Sequence, residues 1–205
     1  MTREEEFEII QRVRAGDPEA FEPLVLEHQK KVYNLALRML GNEEDARDMA
    51  QEALIRAYNS LESFRGDSKF SVWLYRLTSN ICIDFLRGRG RRQAVSLTFE
   101  SEDEPQELEI SDERFSPEAV MEKSETRAAV SRGLQALSPE YREILLLREI
   151  NGLSYEEIGK ALTLEEGTVK SRIFRARKKL CAFLAEDGNI PDMSPSNLTK
   201  GGARV

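Results

Sequence analysis

Apolar residues recur along this chain every three or four positions, and no run resembles a β-hairpin with its turn dipeptide. Phe7, Ile10 and Val13 predict a first helix over 4–14, stopped at Gly16. Asp17 and Pro18 suit the N-cap and first helical position of a second. Phe21, Leu24, Val25, His28, Val32, Leu35, Ala36 and Met39 carry it to about residue 40. After a turn at Gly41 and Asn42, Ala46, Met49, Ala50, Ala53, Leu54, Ala57, Tyr58 and Leu61 keep the helical period over 43–61. The small alanines permit close approach to neighbouring helices. A loop at 64–68 then leads into a fourth helix, begun near Ser68, with Phe70, Trp73, Leu74, Tyr75, Leu77, Ile81, Phe85 and Leu86 at helical spacing. That helix ends in the cluster Arg87, Arg89, Arg91 and Arg92.

Helical periodicity is poor over 93–124, which is rich in Ser and Glu and reads as a flexible acidic linker. A helix opens near Pro117 and continues through Ala128, Val130, Leu134 and Leu137. Ser138 and Pro139 cap the next, over 140–150, with Tyr141, Ile144, Leu145 and Leu147 in its core. The expected fold is therefore all-α. Two small helical domains, 1–92 and 125–186, are joined by the linker and followed by a disordered tail over 187–205.

The most informative pattern lies at 152–180. Ser154 and Glu157 form a capping box, and Tyr155, Ile158, Ala161 and Leu162 give one short apolar face. The pattern breaks at 163–167, where Gly167 is free to take an unusual backbone angle. A second helix starts near Thr168 and seats Val169, Ile173, Ala176 and Leu180 on its own domain. Its other face carries Ser171, Arg172, Phe174, Arg175 and Lys178, flanked by Lys170, Arg177 and Lys179. Six basic residues and no acidic one fall between Thr168 and Leu180. A basic amphipathic helix alone also suits a solvated face, a membrane or an acidic protein. The capped partner helix and the short turn favour a helix-turn-helix that enters a major groove.

Charge first opposes that reading, because the formal net charge is −7. Its distribution removes the conflict. Eleven acidic and two basic residues lie between Glu100 and Glu125, so this stretch holds more than the whole negative excess. Local charge decides where phosphates are attracted. The fourth helix adds a second candidate: aromatics, Asn80 near its middle and clustered arginines suit single-stranded nucleic acid, with bases stacked on rings. Most of those aromatics are expected in the core.

Other chemistry is sparse. Cys82 and Cys181 lack partners at metal-ligand spacing and read as inert thiols. His28 is the only histidine and reads as a packing residue. There is no Walker loop, zinc motif or convincing nucleophile–base pair, so neither an enzyme nor a cofactor or metal site is expected. The acidic start MTREEEFEII is unlike a secretory signal, and the longest aliphatic run, 144–147, is too short to span a bilayer. A cytoplasmic protein is expected.

Three stretches carry a family resemblance: GDPEAFEPLV, DARDMAQEALIRAYNSLESFRGDSKFSVWLYRLTSNICIDFLR, and LSPEYREILLLREINGLSYEEIG with GTVKSRIFRARKKL. In this order and spacing, the sequence resembles bacterial extracytoplasmic-function (ECF) sigma factors of the sigma-70 family over 4–184. The resemblance implies a sigma factor, without catalysis of its own, that reads −35 and −10 promoter elements, helps melt DNA and serves a stress response. It implies core RNA polymerase (clamp helices and flap), promoter DNA and an anti-sigma factor as partners. Asp45, Asp48, Gln51 and Glu52 would meet the clamp. Phe64, Arg65, Lys69, Trp73, Arg76 and Asn80 would read and melt the −10 element, capturing a flipped base, while Arg87, Arg89, Arg91 and Arg92 hold phosphates. Arg172 and Arg175 would meet base edges at −35, Ser171 and Phe174 neighbouring bases or sugars, and Lys170, Arg177 and Lys178 phosphates. The acidic linker would thread channels that later hold RNA. Glu165 and Glu166 depart from the family pattern and would repel nearby phosphates. The competing reading is a self-sufficient helix-turn-helix regulator, which would need a sensor or dimerisation domain that 1–92 does not resemble.

Overall fold

The computed structural model describes residues 1–95 and 117–186, with side chains at 1–90 and 125–186. The described residues form eight α-helices and no strand. The first module holds α1 (Arg3–Arg14), α2 (Glu22–Leu40), α3 (Glu43–Asn59) and α4 (Phe70–Val95). Helices α2, α3 and α4 pack on one another most extensively. Ala46, Ala50, Ala53 and Ala57 form the buried stripe of α3, so its backbone can lie close to its neighbours. Phe64 meets Phe70 edge to face, and Trp73 lies tilted against both beside His28, with ring centroids 5.4 to 5.8 Å apart. Burying such a ring contributes about 1.5–3 kcal/mol. His28 is buried as expected, with Nε2 3.2 Å from Glu6 Oε1, and burial lowers its pKa from the usual value.

The second helix starts later than the sequence suggests. Asp17 does cap, accepting from the Ala20 amide, but Pro18–Phe21 is a 3-10 turn and α2 begins at Glu22. The reason is Pro23, whose ring clashes with the carbonyl four residues earlier in a continuous α-helix. Helix α3 likewise stops at Asn59, and Leu61–Ser63 is a further 3-10 turn.

The second module holds α5 (Pro117–Ala136), α6 (Pro139–Leu145, continued by a π-helical turn at Leu146–Ile150), α7 (Tyr155–Leu162) and α8 (Glu166–Glu186). Both ends of the expected 93–124 linker are thus helical: α4 continues to Val95, and Pro117, suited to a first helical position, opens α5. The rest of that linker, 96–116, and the expected tail, 187–205, lie outside the described residues.

The turn between α7 and α8 corrects one expectation. Gly167 sits in the first turn of α8. The left-handed residue is Thr163, at φ 55°, and the glycine the turn requires is Gly159, where an added Cβ would stand 2.8 Å from the Leu164 carbonyl oxygen. The Leu164 amide reaches back to the Gly159 carbonyl at 2.9 Å, which holds the chain against α7.

The two modules also touch, which the linker reading did not suggest. Helix α5 packs on α2, and α7 and α6 pack on α4.

Candidate nucleic-acid interface

Helix α8 presents the face its sequence implied. Val169, Ile173 and Ala176 are buried and Leu180 is half-buried. Lys170, Ser171, Phe174, Arg175 and Lys178 are exposed. Phe174 has 65% of its surface open, unusual for a large apolar ring. Arg175 and Lys178 have no ion pair among the described residues, so their charge is available to phosphates or base edges. Three neighbours are less available. Arg172 is half-buried and close to Glu143. Arg177 is held by Glu149, with Nε 3.1 Å from Oε1. Lys170 is 2.5 Å from Glu166, one turn before it. Glu166 therefore neutralises a nearby cation and need not face DNA directly. Glu165 is exposed.

The second candidate face runs along α4. Lys69, Trp73, Arg76, Asn80 and Arg87 follow at spacings of four, three, four and seven, which lines them on one side of a helix. Lys69, Arg76, Asn80 and Arg87 are exposed. Trp73 is half-buried against Phe64 and Phe70, and Phe64 is buried. Phe64 therefore supports the loop from beneath and offers no surface for a base. Arg65 is exposed above it. Arg89 pairs at 3.1 Å with Asp45, so one expected phosphate contact and one expected polymerase contact neutralise each other. Arg91 and Arg92 fall within α4.

Two arginines missed in the sequence hold the loop at 64–68. Arg14 donates to the carbonyls of Leu61, at 2.8 Å, and Phe64. Arg3 donates to Gly66 O at 2.7 Å. Helix α1 thus fixes the loop through its backbone. Between them lies an apolar groove of about 620 Å³, lined by Phe7, Ile10, Phe64, Arg65, Ser68 and Phe70. The signal in the sequence was Phe7, which is half exposed on a helix whose Ile10 is fully buried.

On the far side, Asp48 and Gln51 are exposed and Glu52 is half-buried, 2.5 Å from Arg56. They line a groove of about 550 Å³ between α3 and α4 with Ile55, Asp84 and Phe85. Its acidic rim and exposed Ile55 suit a partner surface that is basic with an apolar ridge. The last two residues extend the expected contact set onto α4.

Cys82 is buried, and burial pushes its thiol up to about 12, so it is inert at neutral pH. Cys181 is half-buried.

Models of two families match the chain: Sigma-70 region 2 over residues 24–92 and Sigma-70, region 4 over residues 127–180. The RNA polymerase sigma-H factor of Pseudomonas aeruginosa is 40% identical over 187 residues, covering 88% of this chain and 94% of that protein. The ECF RNA polymerase sigma-E factor of Escherichia coli is 42% identical over 177 residues, covering 84% and 90%. The chain belongs to the ECF sigma factors of the sigma-70 family. It is a subunit that directs RNA polymerase to initiate transcription, in a family of specificity factors and not of enzymes.

The solved structures agree on the fold of this sigma factor. CnrH, in complex with the cytosolic domain of CnrY, is 27% identical with a TM-score of 0.62, covering 87% of this chain and 96% of that one. The sigma factor RpoE of Bartonella quintana, solved with the anti-sigma factor NepR, has a TM-score of 0.63 at 24% identity, covering 82% and 98%. No helix among the described residues is long and apolar enough to cross a membrane.

Proposed function

We propose that residues 1–92 dock on core RNA polymerase and read and melt the −10 element, while 125–186 read the −35 element. The observation that carries this is the pair of exposed polar faces, one per module: Ser171, Phe174, Arg175 and Lys178 on α8, and Arg76, Asn80 and Arg87 on α4. Arg175 is the guanidinium best placed for a guanine edge, since it is exposed and has no ion pair. Arg172, half-buried beside it, is the second candidate for a base edge. Lys170, Lys178 and, after release from Glu149, Arg177 take phosphates. At −10, Asn80 and the loop held by Arg3 and Arg14 receive an unpaired base, with Arg65, Lys69 and Arg76 beside the strand. Unstacking that base costs a few kcal/mol, which stacking and hydrogen bonds in the pocket offset. Asp45, Asp48, Gln51 and Glu52 meet the basic clamp helices, and the second module meets the flap.

An anti-sigma factor is the proposed regulatory partner, because two solved relatives of this fold were determined with such proteins or with a cytosolic domain bound. Release from it in a stress response and action in the cytoplasm complete the reading. The acidic stretch at 96–116 is proposed to occupy basic polymerase channels until RNA displaces it. In vitro transcription tests the assignment. Core polymerase plus this chain should initiate at a cognate promoter, and Asn80→Ala should impair opening on duplex but much less on a pre-melted template. Equal impairment on both templates would sink the melting role.

A further inference from the structure

Gly167 is a glycine that its own chain does not require. Gly159 differs, because a Cβ there would press on the Leu164 carbonyl oxygen. Gly167 lies in the first turn of α8, and its φ is outside the left-handed region. A Cβ built on it would meet nothing within 4 Å. Neither backbone angle nor packing within the chain therefore calls for a glycine. A glycine in a helix also costs stability relative to alanine, so the fold alone would be better served by Ala at this position.

Its place on the helix is that of a reading residue. Gly167, Ser171, Phe174 and Lys178 follow at spacings of four, three and four, which puts them on one side of α8. All four are exposed, while Val169, Ile173 and Ala176 are buried on the other side. Ser171 is short, and its hydroxyl turns back to Thr168 O at 3.0 Å. The face is therefore low at its first turn and rises only at Phe174. In a helix-turn-helix, the first residues of the second helix lie nearest the base edges. The exposed carboxylates of Glu165 and Glu166 flank the bare turn. Lys170 pairs with Glu166 at 2.5 Å, but Glu165 has no ion pair among the described residues. A phosphate is repelled from such a spot, and an uncharged base edge is not. What Gly167 offers that edge is a bare Cα, with no side-chain donor or acceptor. The apolar group on the major-groove edge of a base pair is the thymine C5-methyl.

We propose that Gly167 is a specificity-determining residue of the −35 contact: its missing side chain leaves a seat for a thymine methyl, which packs on the backbone of α8. This rests on the reading of α8 as the −35 helix, and adds to it the base that the first turn selects. Arg175 reads one base pair by hydrogen bonds, and Gly167 selects another by shape.

Competition binding with the holoenzyme tests it, on promoters whose −35 thymines, on either strand, are replaced one at a time by deoxyuridine. Uracil differs from thymine by that methyl alone. One replacement should weaken the wild type about three- to five-fold, the contribution of one buried methyl. Gly167→Ala puts a methyl of its own into the seat. It should bind the thymine promoter about ten-fold more weakly, as an overpacked contact does. It should regain at least about three-fold on deoxyuridine at the sensitive position and at no other, so that the preference reverses there. The free variant should melt no lower than the wild type, and up to about 3 °C higher. A lower melting temperature would mean that the fold itself requires the glycine, and overturns the proposal. Equal binding by variant and wild type overturns it as well. So does an equal loss on every promoter, which would put the sugar-phosphate backbone against the first turn. Arg175→Ala on the same promoters reports on the −35 reading separately. If it weakens binding while deoxyuridine has no effect at any position, only the thymine seat is refuted. If it too leaves binding unchanged, both fall.

Discussion

The two nucleic-acid faces of this sigma factor differ in how they are kept. On α8, Phe174, Arg175 and Lys178 stand in solvent, and the two cations have no ion pair among the described residues. On α4, Lys69, Arg87 and Arg89 each face a carboxylate: Glu157, Glu140 and Asp45. Two of those carboxylates come from the other module. One face is thus set by its own helix, the other by how the modules sit together. A sequence specifies helix faces by periodicity, but which face is free to bind is a property of packing.

The largest expected break of this comparison is Arg142→Ala. It takes the Arg142 donor from the carbonyls of Gln135 and Leu137, leaves Leu134 O with the Leu137 amide alone, and removes the grip on Met39. Hydrogen bonds to a charged group contribute about 1.5–3 kcal/mol each, so a loss of roughly 3 kcal/mol or more is expected. Urea unfolding should show it, with the second module losing structure first. An unfolding midpoint within error of the wild type would refute that role for Arg142.

Next in size is a pH effect at the same interface. Burial among Ser79, Cys82 and the rest of α4 pushes Glu143 up to about 7 from 4.5, with Glu140 adding to the rise and Ser79, Arg172 and Arg87 opposing it. Ser79 Oγ and Glu143 Oε1 are buried without a well-formed hydrogen bond, so a proton on the carboxyl supplies a missing donor. Because the folded pKa is raised, the contribution is fully present below about pH 4.5 and is lost as pH rises through about 7. The gap corresponds to at most about 3 kcal/mol. His28, with a lowered pKa, acts in the opposite direction as pH falls through its unfolded value. The useful readout is therefore the difference between wild type and Glu143→Gln at pH 6 and pH 8. The variant should gain relative stability at pH 8, and a difference independent of pH would remove Glu143 from the account.

How much was legible follows the same division. The apolar stripe of α8 could be read at Val169, Ile173, Ala176 and Leu180, because helical periodicity is local. The alanine stripe of α3 and the Ser154–Glu157 capping box were legible for the same reason. The left-handed Thr163 was not, since Gly167 looked the better candidate and the demand for Gly159 comes from a contact with Leu164. Nothing in the local pattern marks Arg142 and Glu143, between the core positions Tyr141 and Ile144, as buried. Arg142 is buried against α2, about a hundred residues earlier, and Glu143 against α4, about sixty residues earlier. Arg3 and Arg14 were missed likewise, because their partners are backbone carbonyls of a loop some fifty residues on.

A mid-sized test asks whether the free face truly reads bases. Arg175→Ala should cost about 1–3 kcal/mol in promoter discrimination and relax preference at one −35 position. Lys178→Ala should instead weaken all sequences alike and lower the salt slope by about one. Footprinting or competition binding with holoenzyme over single-base promoter variants separates them. Uniform weakening in both variants would demote Arg175 to a phosphate contact.

The smallest effect sharpens the comparison within α8 itself. Arg177 is the residue on this helix that most resembles the engaged cations of α4, since Glu149 holds its guanidinium from the neighbouring π-helical turn. The pair is partly exposed, with side-chain exposures of 35% and 47%, so its own stability is at most about 1 kcal/mol. If Arg177 contacts a phosphate in the promoter complex, that pair must be broken or shared on binding. Glu149→Gln then removes a competitor without touching the reading face. Affinity of the holoenzyme for −35 DNA should rise up to about five-fold at low salt, with little change in base preference. A gain confined to one promoter sequence would mean that Arg177 reads a base and not a phosphate. No gain at any salt concentration would mean that Glu149 and Arg177 stay paired on DNA, and that α8 binds with the exposed set alone.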